Sequence, residues 1–319
     1  MQPIITLTPN PAVDLCTSID RVVALHKLRC GDTRRDPGGG GINVARVIHR
    51  LGGNPAAIFP AGGPIGDLLQ KLLAGECVAG VAVPIHGDTR EDITIDERAT
   101  AGQFRFVLPG PVLGVGEREA LINTLKANLR KGGFVVASGS LPPGMEAEFY
   151  GEISRLVQAA GGKFILDSSG PALAAALDSG AFLIKPSLRE LRELTGKPLT
   201  QERAWLEAAR SLTLQHRVEW VALTLGDMGA LLVSNSLALR ALAPKIVPVS
   251  TVGAGDSFLG ALVWALAKGE DIRSALGLAV ASGTAAMLSR GTDLSHPADI
   301  ERLLPKVDIH ELQPLPTFA

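Results

Sequence analysis

The chain alternates short apolar runs with amphipathic helical patterns, and this alternation restricts its fold more than any other feature. Apolar and β-branched runs that predict buried strands occur at 4–7, 56–59, 134–137, 163–166, 182–184 and 220–225. Between them, apolar residues recur at helical spacing, at Val44, Val47, Ile48 and Leu51 and at Ile65, Leu68, Leu69, Leu72 and Leu73. Strands that alternate with helices predict an α/β fold, a mostly parallel sheet with helices on both faces.

Two segments, 13–36 and 86–108, interrupt this pattern. Both have strand-like content without an intervening helix, and they are able to pair with each other. In the second, Phe104, Phe106 and Leu108 alternate with other residues, a period of two that predicts a sheet with one apolar face. We expect a small β-sheet lid that covers the active site, forms a homodimer contact, or both. Residues 1–12, 37–85 and 109–319 are expected to form one α/β core, with a frayed Pro-rich end at 313–318.

Composition excludes several classes of protein. With 31 Lys and Arg against 32 Asp and Glu, the chain has no basic excess to attract nucleic acid or an anionic membrane. Its three cysteines, Cys16, Cys30 and Cys77, lack paired spacing, which predicts free thiols in a reducing cytoplasm. The apolar stretches 260–267 and 275–288 fall short of the ~20 residues that span a bilayer and predict buried helices. We therefore expect a cytoplasmic protein whose partners are small molecules.

A glycine-rich motif, residues 251–257 with the sequence TVGAGDS, stands immediately before the helical run 258–267. Glycines before a helix expose backbone N–H groups, which converge with the positive end of the helix dipole on an anion such as a phosphoryl group. Asp256 is then placed to take the proton of a hydroxyl that attacks this group, a role worth about 10²- to 10⁴-fold in rate. The alternative is that Asp256 only caps the helix and the glycines only turn the chain.

A second glycine run, 38–41, leads directly into the helix that carries Asn43. A flexible linker is one interpretation, but linkers seldom adjoin an amphipathic helix so closely. The favoured interpretation is a ligand that approaches the glycine backbone, with Asn43 hydrogen bonded to one of its hydroxyl groups. The sequence contains neither the Walker A pattern nor a dinucleotide-binding glycine pattern after a predicted strand, so P-loop and Rossmann-type sites are not predicted.

The two glycine motifs, the run TPNPAVD at 8–14 and the spacing between them resemble the PfkB branch of the ribokinase-like superfamily over essentially the whole chain. Within that branch, further motifs are most similar to the minor type of bacterial 6-phosphofructokinase: KLRC at 27–30, GGGGINVAR at 38–46, IFPAGG at 58–63, SGSLPPG at 138–144 and DSSG at 167–170. The resemblance implies a ribokinase-like fold and transfer of a phosphoryl group from ATP to carbon 1 of fructose 6-phosphate.

The resemblance also implies roles for individual residues. Asp256 would be the catalytic base, with Gly253, Ala254 and Gly255 as the anion hole. The residues that it places around the sugar hydroxyls and the existing phosphate are Asp14, Lys27, Gly38, Gly39, Asn43, Arg90, Arg105 and Ser138. Without the resemblance, the three cations in this set are equally well explained by pairing with neighbouring acidic residues at the surface.

For the cofactors, the resemblance implies ATP, Mg²⁺ and a monovalent cation such as K⁺. ATP contacts are implied at Lys185, Ser187, Thr224, Gly226, Gly229 and Thr251. Mg²⁺ prefers phosphate oxygens and water, with Glu190 contacting it through water. The monovalent cation is implied at carbonyl groups near Ser250, Val252, Ala286, Ser289 and Gly291.

Two departures leave alternatives open. Ser187 stands where the family usually has asparagine, and serine lacks the amide that would help to hold Mg²⁺ or ATP. Residues 10–14 are equally similar to 1-phosphofructokinases and tagatose-6-phosphate kinases, so fructose 1-phosphate and tagatose 6-phosphate remain alternative substrates. From other classes, a sugar-phosphate sensor without turnover is disfavoured by the intact Asp256, and a nucleoside kinase by the cations of the lid.

Overall fold

The structure is a computed structural model and describes residues 1–312; the predicted frayed end at 313–318 lies outside them. The strands are β1 (Ile4–Leu7), β2 (Ala12–Ile19), β3 (Arg34–Gly38), β4 (Ala56–Ala61), β5 (Ala79–Pro84), β6 (Arg90–Glu97), β7 (Gly102–Phe106), β8 (Phe134–Ser138), β9 (Lys163–Asp167), β10 (Ala181–Ile184), β11 (Val218–Thr224), β12 (Ala230–Val233), β13 (Ala238–Leu242) and β14 (Asp308–Glu311). The helices are α1 (Gly40–Arg50), α2 (Gly63–Gly75), α3 (Val115–Asn128), α4 (Phe149–Ala159), α5 (Gly170–Leu177), α6 (Leu188–Thr195), α7 (Glu202–Gln215), α8 (Ala254–Lys268), α9 (Ile272–Ala286) and α10 (Pro297–Leu303).

Within residues 1–312, ten strands form one large sheet in the order β14-β13-β12-β11-β10-β9-β8-β1-β4-β5. All neighbours from β5 to β11 are parallel, and β12, β13 and β14 extend the sheet as antiparallel strands at one edge. Every residue of β8 is buried, as expected for a parallel strand covered on both faces. The predicted mostly parallel sheet is therefore confirmed, and the antiparallel edge is an addition that the sequence analysis did not predict.

The predicted strands and helices are present, with small shifts at their ends. Leu225 follows β11 rather than ending it, and Leu51 lies just beyond α1. The predicted helix 275–288 corresponds to α9, which ends two residues earlier, at Ala286. In each case an apolar residue beyond the end of an element packs against the core, so its apolar character extended the predicted pattern.

Helices cover both faces of the large sheet. One face packs against α3, α4, α5 and α7, with Phe149 and Tyr150 among its fully buried side chains. The other packs against α1, α8 and α9, which contribute Val44, Leu262 and Leu276. The apolar helices α8 and α9 are therefore internal, and no helix in residues 1–312 is long and apolar enough to cross a membrane.

Four strands of the described chain form a second sheet, in the order β3-β2-β6-β7, which we call the lid sheet. β2 and β6 are parallel, from Ala12 opposite Arg90 to Ile19 opposite Glu97, so the two segments that interrupt the α/β pattern do pair with each other. β3 ends at Gly38, the first residue of the glycine run that leads into α1. The lid sheet is thus joined directly to the chain segments that carry the candidate site.

Candidate active site

The motif at 251–257 forms the start of α8. Gly253 precedes the helix with a φ of +73°, and a Cβ atom there would lie 2.5 Å from Cδ2 of Leu294. Both the backbone angle and the close contact require glycine at this position. The first amides of a helix lack acceptors within it, and Gly253, Gly255 and Asp256 line a cleft at this helix start. The arrangement suits an anion.

Asp256 lies in the first turn of α8 and faces this cleft. Its Oδ2 accepts a hydrogen bond of 2.9 Å from Nδ2 of Asn43, in the first turn of α1. Burial and repulsion from Asp167 raise the pKa of Asp256 to about 6, against the opposing effects of the bond from Asn43 and the charges of Lys185 and Arg105. The carboxyl group is therefore ionised near neutral pH, with a pKa suited to accepting a proton.

The second glycine run lets α1 approach the large sheet closely. A Cβ atom on Gly40 would lie 2.2 Å from Oγ of Ser138, and one on Gly41 would lie 2.9 Å from the carbonyl oxygen of Leu7. Gly39 has a φ of +106°. The run is thus part of an ordered, tightly packed turn, so the linker interpretation is wrong. This packing places Asn43 beside Asp256.

The lid sheet contributes a carboxyl group to the same cleft. Asp14, on β2, lies against Gly38, where a Cβ atom would be only 2.4 Å from Cγ of Asp14. Burial and repulsion from Asp92 raise the pKa of Asp14 to about 7, against the opposing charges of Arg105 and Arg46. A carboxyl group in this environment gains from a neutral hydrogen-bond partner such as a sugar hydroxyl.

Two of the predicted cations, Arg90 and Arg105, also line this cleft, and they differ in how firmly the protein holds them. Arg90 is tied to the protein: its guanidinium lies 3.2 Å from Asp92 and donates to the carbonyl oxygens of Leu108 at 2.7 Å and Asn10 at 3.1 Å. Arg105, on β7, is exposed at the mouth of the cleft. It is therefore the cation that is free to turn toward an anionic group of a ligand.

The cleft has a volume of about 360 Å³ and adjoins a second cavity of about 670 Å³. Six residues predicted to contact ATP line the second cavity: Lys185, Ser187, Thr224, Gly226, Gly229 and Thr251. Other parts of its wall are apolar, formed by Ala243, Pro248, Phe258, Val280 and Met287. We call the cleft the polar cavity and the second cavity the apolar cavity. Gly255 and Glu190 line both, so the cavities meet at the start of α8.

A buried ion pair lies beside this junction. Nζ of Lys185 is 3.0 Å from Oδ1 of Asp167, and the two side chains are 6% and 14% exposed. Burial opposes the charge on Lys185, but attraction to Asp167, Glu190 and Asp256 outweighs it and raises the pKa of Lys185. Because a Cβ atom on Gly255 would lie 3.4 Å from Nζ, this permanent cation is next to the helix start that receives an anion.

Glu190 fits the predicted water-mediated contact to Mg²⁺. It forms a capping box at the start of α6, in which its Oε2 accepts from the amide of Ser187 at 2.8 Å and its own amide donates to Oγ of Ser187 at 3.2 Å. The box fixes the carboxylate at the junction of the two cavities, where its other oxygen remains for a hydrated cation. A single protein carboxylate with phosphate oxygens and water is a common environment for Mg²⁺.

The segments predicted to hold a monovalent cation lie together. The amides of Val249 and Ser250 donate to the carbonyl oxygen of Met287 at 2.7 and 3.3 Å, which places the chain before Val252 beside the chain that follows Ala286. Ser289 and Gly291 continue that second segment, Gly291 with a φ of +54°. The five residues thus flank the start of α8, and their role in cation binding stays a prediction.

Lys27 is placed differently from the other predicted cations. It lies in an exposed stretch between β2 and β3 and lines neither of the two cavities of the described chain. Its predicted contact with the substrate phosphate is therefore not made by the arrangement within this chain.

Sequence reasoning missed several residues of the site. Asp167 was part of a recognised motif and ends strand β9, so its place at the carboxyl edge of the sheet was a usable signal. Asp92 follows Arg90 by two residues and shares its face of β6, which the period of a strand would have shown. Thr292 had no local signal, because only the long-range fold brings it to Asp36. Arg46 did have one, since it follows Asn43 by three residues, a spacing that makes two side chains neighbours on a helix.

Comparison with known proteins agrees with this geometry. A family model described as pfkB family carbohydrate kinase matches residues 7–299. The chain is 45% identical over 299 residues to ATP-dependent 6-phosphofructokinase isozyme 2 of Mycobacterium tuberculosis, covering 94% of this chain and 88% of the relative. It is 38% identical over 301 residues to the isozyme 2 of Escherichia coli, covering 94% and 97%. The crystal structure of Escherichia coli phosphofructokinase-2 in complex with fructose-6-phosphate has a TM-score of 0.90 at 37% identity, covering 96% of this chain and 99% of that chain.

A carboxylate at a glycine-rich helix start, beside a polar and an apolar cavity of an α/β fold, suits phosphoryl transfer, and the relatives show that the chain is an ATP-dependent sugar kinase with a ribokinase-like fold. More narrowly, the chain belongs to the pfkB family of carbohydrate kinases. The resemblance drawn from the two glycine motifs is thereby confirmed.

Proposed function

We propose that this chain transfers the γ-phosphoryl group of ATP to the carbon 1 hydroxyl of fructose 6-phosphate, giving fructose 1,6-bisphosphate and ADP. The observation that carries the proposal is the position of Asp256, at the point where the polar and apolar cavities meet. The relatives at 38% and 45% identity are both named ATP-dependent 6-phosphofructokinase isozyme 2, which supports the same substrate here.

In the proposed reaction, the sugar phosphate occupies the polar cavity. Asp14, Asn43, Ser138 and the backbone at Gly38 and Gly39 hold the sugar hydroxyls, while Arg105 and Arg90 face its phosphate. Asp256 accepts the proton of the carbon 1 hydroxyl as its oxygen bonds to the γ-phosphorus and the bond from that phosphorus to the β,γ-bridging oxygen breaks. The proton thus passes to the carboxylate, and the bonding electrons leave with ADP.

ATP occupies the apolar cavity in this proposal, with its base between Pro248, Phe258 and Met287. The amides at Gly253, Ala254 and Gly255 receive the charge that develops on the transferred group, a form of stabilisation that needs no reorganisation during the reaction. Lys185 lies beside the same position. When bound, Mg²⁺ neutralises phosphate charge, and Glu190 is the residue that would hold it through water.

The test is ADP release by the purified protein with ATP and Mg²⁺ on a panel of fructose 6-phosphate, tagatose 6-phosphate, fructose 1-phosphate and adenosine. Preferential turnover of fructose 6-phosphate supports the proposal. A faster reaction with either alternative sugar phosphate would move the assignment to tagatose-6-phosphate kinase or 1-phosphofructokinase. Binding of the sugar phosphates without ADP release would indicate a sensor, and preference for adenosine a nucleoside kinase.

We also propose a homodimer through the lid sheet. Phe104 and Phe106 leave 39% and 51% of their surface exposed on one face of this sheet, an apolar surface that a second copy would cover. Escherichia coli phosphofructokinase-2 has been crystallised in a tetrameric inhibited form, so assembly occurs in a relative. Light scattering of the wild type and of Phe106→Glu tests the proposal: the variant is expected to be monomeric, and an unchanged mass would contradict it.

A monovalent cation beside the anion hole is the last part of the proposal. A crystal structure of Escherichia coli phosphofructokinase-2 contains potassium, and its TM-score to this chain is 0.92. The segments at Ser250 and Met287 lie side by side next to the start of α8, and their carbonyl oxygens are the candidates for holding the cation. Turnover is expected to be higher in potassium chloride than in tetramethylammonium chloride of equal ionic strength. Equal rates in both salts would exclude a role for the cation.

A further inference from the structure

Arg46 is the largest side chain in the described residues that is fully buried, with only 1% of its surface exposed. It lies on α1, three residues after Asn43. At one end, Nε and Nη2 of its guanidinium donate to both carboxylate oxygens of Glu76, at 2.6 to 3.0 Å. A buried pair of this kind has an obvious structural role. The other end of the guanidinium points away from Glu76, toward the catalytic side of α1.

That other end, Nη1, meets three acceptors from three parts of the chain. It is 3.2 Å from Oδ1 of Asn43, 3.0 Å from the carbonyl oxygen of Pro37 and 3.1 Å from that of Thr292. Pro37 precedes the glycine run, and Thr292 lines the polar cavity. One buried cation thus joins α1, the end of the lid sheet and the loop after α9, all of which border the site.

The contact with Asn43 determines which way its amide points. A guanidinium group only donates hydrogen bonds, so the atom of Asn43 that faces Arg46 must be the carbonyl oxygen. The amide nitrogen then faces Asp256, at 2.9 Å from Oδ2. If the amide turned over, its oxygen would face the ionised carboxylate, which is repulsive. Arg46 therefore selects the orientation in which Asn43 donates to the base.

We infer that Arg46 is a positioning residue for the proposed reaction, which acts through Asn43 to hold the Asp256 carboxylate at the junction of the two cavities without itself contacting a reactant. The inference rests on the proposed function, in which Asp256 is the base. The other groups that act on this carboxylate are Asp167, which opposes its ionised form, and Lys185 and Arg105, which favour it. None of these three is a hydrogen-bond partner of Arg46, whose partners are Glu76, Asn43, Pro37 and Thr292.

The test needs variants that separate positioning from folding. Glu76→Gln keeps Arg46 and its bonds to Asn43, Pro37 and Thr292 but weakens the ion pair. The double variant Arg46→Met with Glu76→Gln differs from it only at Arg46, and it leaves no unpaired charge from the Arg46–Glu76 pair. Arg46→Lys is a third variant that retains the charge, although one ammonium group cannot serve both ends of the former guanidinium.

The matched pair is compared by kcat, KM and the pH dependence of kcat, using the sugar phosphate that the wild type turns over fastest. Glu76→Gln is expected to keep kcat within about threefold of the wild type. The double variant should lose about 10- to 100-fold in kcat, the worth of a hydrogen bond to a charged group, with the KM for ATP nearly unchanged. Because the bond from Asn43 lowers the pKa of Asp256, its loss should also move the decline of kcat at low pH to a pH about one unit higher than in the wild type.

A purely structural role predicts something else: lower thermal stability in all variants, with kcat and its pH dependence unchanged in the protein that remains folded. That result in the double variant would overturn the inference. If the double variant does not fold, Arg46→Lys gives the same comparison, with a reduced kcat and a raised acid limb expected. If Arg46→Lys has the kcat of the wild type, and its kcat declines with acid at the same pH as in the wild type, the inference is overturned.

Crystal structures of the matched pair keep this test separate from that of the proposed function. If the wild type turns over no sugar phosphate, the proposed function fails, but the structures still decide whether Arg46 holds Asn43. The contact between Asn43 and Asp256 should persist in Glu76→Gln and be lost or lengthened in the double variant. An unchanged contact of 2.9 Å in both would reject the role of Arg46.

Discussion

The polar and apolar cavities meet at Gly255 and Glu190 but are built on opposite principles. The polar cavity collects charged side chains from both sheets and from α8: Asp14, Arg90, Asp92, Arg105, Asp167 and Asp256. The apolar cavity is formed mostly by small and apolar residues that follow strands of the large sheet or lie on α8 and α9. The proposed function therefore assigns chemistry and substrate choice to the polar cavity and recognition of shape to the apolar cavity.

The two cavities also differ in their effect on the stability of the fold. Burial raises the pKa of Asp14 to about 7 and that of Asp256 to about 6, so the polar cavity holds carboxylates that would be more stable in water. Such sites are expected to trade stability for activity. The residues predicted to contact ATP include a serine and two threonines, and replacing these three conservatively should disturb neither property strongly. Replacing a buried carboxylate of the polar cavity should therefore lower activity and raise stability, whereas conservative replacements in the apolar cavity should change both only slightly.

The largest effect is expected from Asp256→Asn, which removes the base and keeps the shape of the side chain. We expect kcat to fall by about 10²- to 10⁴-fold, with the thermal midpoint at about pH 8 unchanged or raised, because asparagine avoids the cost of the buried charge. Kinetics and thermal unfolding on the same sample provide the measurement. Asp178→Asn, at a carboxylate with 86% exposure, is the control and should change neither. A stable variant with near wild-type kcat would remove Asp256 from the mechanism.

Arg105→Met should give the next largest effect, and it separates the two cavities kinetically. Loss of a cation that turns toward the substrate phosphate is expected to raise the KM for the sugar phosphate about 10- to 100-fold. The KM for ATP should stay within about twofold, since Arg105 does not line the apolar cavity. Arg98→Met, in the turn that follows β6 and outside the polar cavity, is the matched control. Equal increases in both KM values would indicate a general disturbance of the site.

Asp14→Asn tests the energetic cost on the polar side through pH. The folded pKa of Asp14 is about 7 and its ordinary value is 3.8, so between these values the folded protein binds more protons than the unfolded chain. The free energy of unfolding therefore falls as the pH rises through this range. Asparagine does not ionise, so this loss of stability is absent in the variant. The free energy of unfolding gained by Asp14→Asn should therefore be about 1 to 3 kcal/mol larger near pH 8 than near pH 5.

Chemical unfolding of Asp14→Asn at the two pH values supplies this measurement. The control is Asp20→Asn, a carboxylate immediately after β2 with 87% of its side chain exposed, for which no difference between the pH values is expected. A stabilisation by Asp14→Asn that is equal at both pH values would show that the buried carboxylate does not carry the cost assigned to it.

The smallest effect is expected on the apolar side, from Ser187→Asn. Asparagine caps helices as well as serine does, so the capping box with Glu190 should persist and the fold should be unaffected. We expect the KM for ATP and kcat to change by less than about threefold. Steady-state kinetics with ATP as the varied substrate provides the check. A change of tenfold or more would mean that this position determines nucleotide or Mg²⁺ binding to a degree that the cavity does not suggest.

The same contrast explains how much the sequence alone could predict. The apolar cavity depends on local signals, since Lys185 and Ser187 follow one predicted strand, Thr224 lies at the end of another, and parallel strands end at one edge of the sheet. Asp256 and the glycines were equally local. The polar cavity depends on long-range pairing: Asp92 reaches Asp14 only through the register of β2 against β6, and Arg46 reaches Thr292 across most of the chain. Lys27 was assigned by motif alone, and its stretch of chain lies apart from the cleft.

The central claim, that Asp256 directs a phosphoryl group to carbon 1 of a sugar phosphate, is tested most directly by phosphorus NMR of the reaction of ATP with fructose 6-phosphate. The account predicts a new phosphomonoester resonance coupled to the protons of carbon 1, formed in equal amount to ADP and absent with Asp256→Asn. ADP formed with inorganic phosphate and no sugar bisphosphate, or a phosphate on another carbon, would contradict it.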